Sequence, residues 1–231
     1  MYKKYGKRLL DILCASVALI AFCWLYALIA LLVRIKLGRP VLFKQKRPGL
    51  IDRHTGKERI FTLYKFRTMT NERDESGKLL PDGQRLTGFG KWLRATSLDE
   101  LPEALNILKG DMSVIGPRPQ LVRDMVFMTA EQRRRHTVRP GLSGLAQING
   151  RNGIEWEEKL QYDLQYIKKV SFVEDIKIVL CTVKKVLKTE SISYEGMATA
   201  EDFGDHLLRT GKVSKLEYDE KQNAASILLD S

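Results

Sequence analysis

The sequence predicts an α+β, mainly helical protein: an N-terminal membrane-embedded helix, re-entrant rather than straight, a small β-hairpin and amphipathic surface helices. Three observations lead there. Ile12 to Val33 is a run of 22 residues without a charge. Two short apolar stretches near residues 41–43 and 60–66 flank a polar turn, and apolar residues recur at helical spacing from Glu155 to Lys188. At 44% hydrophobic and 29% charged, the 231-residue chain is too apolar for a disordered protein and suits one domain of ordinary size, or one domain with a short appendage.

As one helix the N-terminal run would rise about 33 Å, the thickness of a bilayer's hydrocarbon core. It is long for a signal peptide, and Arg34-Ile35-Lys36 follows it in place of a small-residue cleavage pattern. Lys3, Lys4, Lys7 and Arg8 precede it, and Arg34, Lys36, Arg39, Lys44, Lys46 and Arg47 follow. A straight span would place one basic cluster on the non-cytoplasmic side, whereas a helix that enters and returns keeps both inside. Charge alone leaves a single-pass anchor equally open.

Val41-Leu42-Phe43 and Ile60 to Phe66 read as strands of a hairpin around Pro48-Gly49 and Thr55-Gly56-Lys57, and residues 72–88 read as a loop. A helix is expected from Ser97 to about Leu108, with Ser97 and Glu100 spaced as a capping box. Two more follow between Glu155 and Lys188, broken near Val170-Ser171. The second carries Lys177, Lys184, Lys185 and Lys188 beside its apolar stripe, which suits either an anionic lipid surface or a core-packed helix with a solvated lysine face. The stretch after Thr189 reads as peripheral.

The net charge of +11 is graded. Residues 1–50 hold ten basic residues and one acidic, while residues 189–231 hold four basic and nine acidic. Anionic partners are therefore expected, but aromatic residues are not interleaved with the basic ones as single-stranded nucleic acid requires. Cys14, Cys23 and Cys181 are too dispersed for zinc or a disulfide framework. His54, His136 and His206 are scattered and read as surface residues.

Asp99 and Glu100 are the chemically suggestive pair. Adjacent carboxylates at a helix start serve as capping groups, or as a nucleophile or Mg²⁺ ligand beside a general acid or base. Pro102 resists the purely structural reading, since it would interrupt the first turn. Arg118 between two prolines, Arg139 before Pro140-Gly141, and Arg151 in Gly150-Arg151-Asn152-Gly153 are guanidinium groups on stiff or tight turns, suited to a polyanion.

Lys65-Phe66-Arg67-Thr68-Met69, Thr96 to Pro102, Asn106 to Ser113, Gly116-Pro117-Arg118-Pro119, Arg139-Pro140-Gly141 and Asn149 to Asn152 together resemble the bacterial sugar transferase family of small monotopic polyprenyl-phosphate phosphoglycosyl transferases. The resemblance runs over about residues 1–200. It implies a membrane-associated helix at 1–40, a cytoplasmic catalytic domain at 41–200 and an acidic C-terminal tail at 201–231. It further implies transfer of a sugar 1-phosphate from a UDP-sugar to undecaprenyl phosphate, with release of UMP, as the first membrane step of glycan assembly. Asp99 would be the nucleophile and the Mg²⁺ ligand, and Glu100 would assist. Lys65, Arg94, Arg118, Arg139 and Arg151 would stabilise phosphate charge, with Asp163 and Asp175 as further substrate-binding positions. Mg²⁺ is the implied cofactor, membrane lipids the implied surroundings and the cytoplasmic face of the bacterial inner membrane the implied location; a homodimer is left open. A conventional glycosyltransferase releasing UDP, or a non-catalytic membrane-anchored anion-binding adaptor, fits the composition as well. Family members commonly break the apolar helix with Ser-Pro; Cys23-Trp24 stands in the corresponding place.

Overall fold

A computed structural model describes residues 1–150, 153–187 and 201–230. The apolar run folds as two helices, α1 (Lys7–Ala21) and α2 (Cys23–Lys36), entered through a π-helical turn at Tyr2–Gly6. They meet at 66°, and no single helix among the described residues is long and apolar enough to cross a membrane. The break falls at Phe22 (φ −107°, ψ 16°), without a proline.

The cause is tertiary, because each limb is tied to the same body. On α1, buried Asp11 accepts from Ser113 Oγ and the Val114 amide at 2.9 and 2.8 Å, and Arg8 donates to the carbonyls of Ile107 and Leu108. On α2, the Tyr26 hydroxyl donates to the Leu101 carbonyl at 2.6 Å, while Ile29 and Val33 pack on Phe66 and Leu93. Lys7 pairs with buried Asp175 at 2.5 Å. Part of the basic N-terminal flank is thus turned inward.

The expected hairpin forms. Strands β1 (Leu42–Ile51) and β2 (Glu58–Phe66) pair antiparallel from Leu42 opposite Phe66 to Pro48 opposite Ile60. Phe61 and Leu63 on β2 join Ala15, Ala104, Ile107 and Met112 in one core. The following loop holds a short helix α3 (Asp82–Arg85), and α4 (Gly88–Ala95) is capped by Thr87 Oγ1, which accepts from the Gly90 amide.

The helix expected from Ser97 begins later. Ser97 is left-handed (φ 56°), makes no side-chain cap and leads into a 3-10 turn at Leu98–Glu100; α5 (Glu103–Lys109) starts after Pro102. A proline has no amide to continue the ladder, and its φ of −63° suits the position just before a helix.

Beyond α5, β3 (Ser113–Ile115) pairs in parallel with β4 (Gly141–Ser143) across α6 (Val122–Met125) and α7 (Ala130–Arg133). Then come α8 (Leu145–Ile148), α9 (Trp156–Lys168) and α10 (Phe172–Leu187), with the break where the sequence placed it. Helix α10 buries Ile178 but leaves Phe172, Val173, Ile176, Leu180 and Val183 exposed, so its apolar stripe is only partly covered.

The C-terminal stretch is not peripheral. Phe203 and Leu207 of α11 (Phe203–Arg209) are buried with Phe127, Met128, Trp156 and Leu160. Ala225 of α12 (Lys215–Asp230) is buried against Val122 and Met125. Acidic composition concealed a few well-spaced apolar anchors.

His54 is exposed as expected, but His136 and His206 are buried. His136 Nδ1 lies 3.1 Å from Glu58 Oε1, with Arg133 and Arg135 also facing the pair. Burial lowers the imidazole to a pKa of about 4, so the folded protein keeps it neutral where the unfolded chain, with an ordinary value of 6.5, protonates it. The unfolded state then binds the extra proton between those values, and stability is expected to fall as pH drops through that window. Urea unfolding from pH 7 to 4 should show this slope flattened in His136→Gln. An unchanged slope would place the acid sensitivity elsewhere.

Candidate active site

The Leu98–Glu100 turn presents two carboxylates in different environments. Glu100 Oε1 is bonded by Lys65 Nζ of β2 at 2.7 Å and by Arg118 Nη2 at 2.6 Å. Burial opposes its ionisation, but Arg118 and Lys65 outweigh that and hold it well below the usual carboxylate range. Asp99, 8% exposed, has no hydrogen bond or ion pair among the described residues, and burial lifts it to about 6 despite the attraction of Lys65. One carboxylate is locked; the other is buried with spare valence.

Sequence reasoning missed Glu103, 2% exposed at the start of α5, which places Oε1 3.2 Å from Lys65 Nζ. Burial first, then the neighbouring Glu100, raises it to about 7. Lys65 therefore sits between two acids. Desolvation works against its charge, but Glu100 and Glu103 prevail and the ammonium is favoured. The register of this trio is set by Asn106, fully buried, whose Oδ1 accepts from the Tyr64 amide at 3.1 Å and whose Nδ2 donates to the Thr62 carbonyl at 2.7 Å. It clamps α5 to the free edge of β2.

Arg118 is held from behind by its backbone. Its carbonyl accepts from Arg135 Nη2 at 2.6 Å, and the Pro119 carbonyl accepts from Arg47 Nη1 at 3.0 Å. Arg135 is in turn paired with buried Asp163 at 2.6 Å. The segment is seated by glycines packed backbone to backbone: a Cβ on Gly141 would lie 2.0 Å from the Gly116 amide nitrogen, and one on Gly144 2.1 Å from the Gly116 carbonyl oxygen. No side chain fits there.

Lys65, Asp99, Glu100 and Arg118 thus converge. Arg94 of α4 donates to Thr68 Oγ1 at 3.0 Å and lies close enough to Asp99 for its charge to be felt there. Asp163 stands behind the site as the partner of Arg135. Asp175 lies apart, accepting from Tyr2, Lys7 and Tyr166. Arg139 is at the far end of α5, donating to the Gly110 carbonyl at 2.8 Å and lining a cavity of about 310 Å³ with Arg53, Arg59 and Asp111. That cavity contains neither Asp99 nor Glu100. A cleft of about 20 Å³ lies at the site itself, between Arg47, Lys65, Glu103 and Arg118. Arg151 falls outside the described residues.

A surface that joins an unpaired carboxylate to a lysine and arginines can receive phosphate groups beside a nucleophile or metal ligand. The sequence pattern described as bacterial sugar transferase matches residues 2–189. This chain belongs to the bacterial sugar transferase family. Among sugar transferases of known sequence, the uncharacterized sugar transferase EpsL of Bacillus subtilis is 50% identical over 197 residues, covering 85% of this chain and 95% of that one. A UDP-glucose:undecaprenyl-phosphate glucose-1-phosphate transferase of Caulobacter vibrioides is 38% identical over 195 residues, 80% of this chain and 71% of that one. A UDP-N-acetylgalactosamine-undecaprenyl-phosphate N-acetylgalactosaminephosphotransferase of Aeromonas hydrophila is 37% identical over 193 residues, 78% of this chain but 43% of that longer one.

Proposed function

We propose that this sugar transferase moves a sugar 1-phosphate from a UDP-sugar to undecaprenyl phosphate through a covalent intermediate on Asp99. The observation that carries the reading is the division of labour between adjacent carboxylates: Glu100 is immobilised by Lys65 and Arg118, while Asp99 has no hydrogen bond or ion pair among the described residues. In the first step an Asp99 carboxylate oxygen attacks the β-phosphorus. The bond from that phosphorus to the bridging oxygen breaks, and UMP departs with the oxygen. In the second step a phosphate oxygen of undecaprenyl phosphate attacks the same phosphorus and frees the carboxylate. Lys65, Arg118 and Arg94 offset the charge of the diphosphate. The names of the Caulobacter and Aeromonas relatives support the acceptor and the transferred group.

The chain's residues fit a Mg²⁺ cofactor. Asp99 offers a hard oxygen ligand that no cation among the described residues pairs with, and Mg²⁺ characteristically takes one or two carboxylates together with substrate phosphates. When bound it would supply neutralisation of diphosphate charge.

The bent pair α1–α2 fits a re-entrant membrane helix. Leu13, Val17, Ile20, Phe22, Trp24 and Leu28 are exposed around the bend, both limbs return to one body, and the exposed stripe of α10 begins beside Tyr2, whose ring meets Phe172 edge-on at 5.8 Å. Apolar surface of this extent suits lipid. On this reading the site works at the cytoplasmic face of the inner membrane, where nucleotide sugars are made.

Membranes containing the protein, incubated with Mg²⁺, undecaprenyl phosphate and a panel of UDP-sugars, are expected to release UMP and form a lipid-linked diphosphosugar. Release of UDP would overturn the mechanism in favour of direct glycosyl transfer. No nucleotide release from any sugar of the panel would overturn the enzymatic reading itself.

A further inference from the structure

Away from the Asp99 site, the start of α9 meets α11 at a cluster the transferase reaction does not use. Glu155 stands at the residue before α9 without a side-chain cap bond, Glu157 follows in its first turn and His206 comes from α11; one ligand atom of each lies within 4.8 Å of the others. The His206 side chain is only 6% exposed, and its Nε2 is buried without a hydrogen-bond partner among the described residues, 3.4 Å from Glu157 Oε2. A buried ring nitrogen with no well-formed hydrogen bond, beside the carboxylate of Glu157 and with Glu155 close to the same cluster, is a position that a bound ion would satisfy.

We propose that Glu155, Glu157 and His206 bind a divalent transition-metal ion of the Zn²⁺ class, which fastens α11 to the start of α9. One imidazole and two carboxylates are three ligands of a tetrahedral zinc site, the fourth being water. Bonds of about 2.0–2.2 Å hold tetrahedral ligand atoms roughly 3.4 Å apart, so the set closes on an ion with a shift of about 1 Å in flexible glutamate side chains. On the other side of the ring, Glu201 Oε2 lies 3.6 Å from Nδ1. It is placed to accept a hydrogen bond from Nδ1–H when Nε2 takes a metal and Arg209 Nη2 withdraws from Nδ1, the usual carboxylate–histidine–metal arrangement.

Two of the cations facing the cluster, Lys212 and Arg209, are exposed and replaceable, while Lys159 is half-buried over the Trp156 ring. Lys212, about half exposed, pairs with Glu157; Arg209 pairs with Glu201 at 2.8 Å and has Nη2 3.3 Å from His206 Nδ1; Lys159 acts on Glu155 from one turn along α9. A divalent ion displaces Lys212 from Glu157 and leaves Arg209 on Glu201. The family match ends at residue 189, so His206 lies outside it. The site is a property of this chain's C-terminal segment.

The test is Zn²⁺ titration of the tag-free full chain in detergent, stripped with chelator, followed by calorimetry and thermal unfolding. The wild type and Asp99→Asn are expected to take up one Zn²⁺ per chain at this site and to melt higher with it. Glu155→Gln and His206→Gln should bind at least about tenfold more weakly and lose the thermal shift. Glu155 is exposed, so its variant decides the matter if His206→Gln does not fold. The proposal is overturned by absence of uptake in the wild type, by uptake unchanged in Glu155→Gln, or by uptake lost in Asp99→Asn. It is likewise overturned if the Co²⁺-substituted protein shows a thiolate charge-transfer band, which would assign the ion to cysteine.

Discussion

Asp99→Asn is expected to lower turnover by about a thousandfold or more while leaving the protein at least as stable as the wild type. The asparagine keeps the shape of the side chain but cannot form the acyl phosphate on which the proposed route depends. Stability should not suffer, because the carboxylate it replaces is buried, is pushed up to a pKa of about 6 by that burial and has no hydrogen bond to lose among the described residues. Single-turnover release of UMP and thermal unfolding in the same detergent provide the two readings. Wild-type release by the variant would reduce Asp99 to a capping carboxylate, and a large loss of stability would mean it has a partner that the fold depends on.

Lys65→Met is expected to damage both properties at once. Its ammonium is shared by Glu100 and Glu103, the second of which is almost wholly buried. Removing one partner of a buried charge cluster costs about 3 kcal/mol, because the remaining carboxylates are left desolvated. Glu100 retains Arg118; Glu103, already raised to about 7, takes up a proton. Adding Glu103→Gln to Lys65→Met should therefore recover most of the stability and none of the activity. Recovery of both would assign Lys65 to the fold alone, whereas recovery of neither would point to damage beyond this trio.

The features legible in the sequence were those written in local pattern. The short apolar stretch 60–66 and the helical spacing of 156–187 report on neighbours within a few residues and became a strand and two helices, while the charge-free run became two helices bent at Phe22. Of the candidate site, the motifs gave Asp99, Glu100, Lys65 and Arg118, which the fold brings together, whereas Arg139 and Asp175 lie apart from them. What escaped depends on partners far along the chain. Three residues at 113–115 show no strand periodicity, yet they pair with 141–143 because glycines at 116, 141 and 144 let two backbones touch. His136 and His206 look solvated until Glu58 and Glu157 are folded onto them. Glu103 reads as an ordinary first-turn acid, since only the packing of α5 against β2 brings it to Lys65. The Ser97 capping box was a local rule overridden by another, as Pro102 moved the helix start six residues on and left Ser97 as the one described non-glycine residue with positive φ.

The inward anchoring of the N-terminal limbs bears on how the protein can be handled. Ala15, Ile29 and Val33 belong to the same cores as Ile107, Met112, Phe66 and Leu93, and Asp11 and Tyr26 bond the segments that flank the Asp99 turn. Residues 1–36 are therefore not a tether that can be cut to obtain a soluble enzyme. Deleting them would open the hydrophobic interior beneath the Asp99 turn, so solubility cannot be gained by truncation without unmaking the candidate site in this architecture.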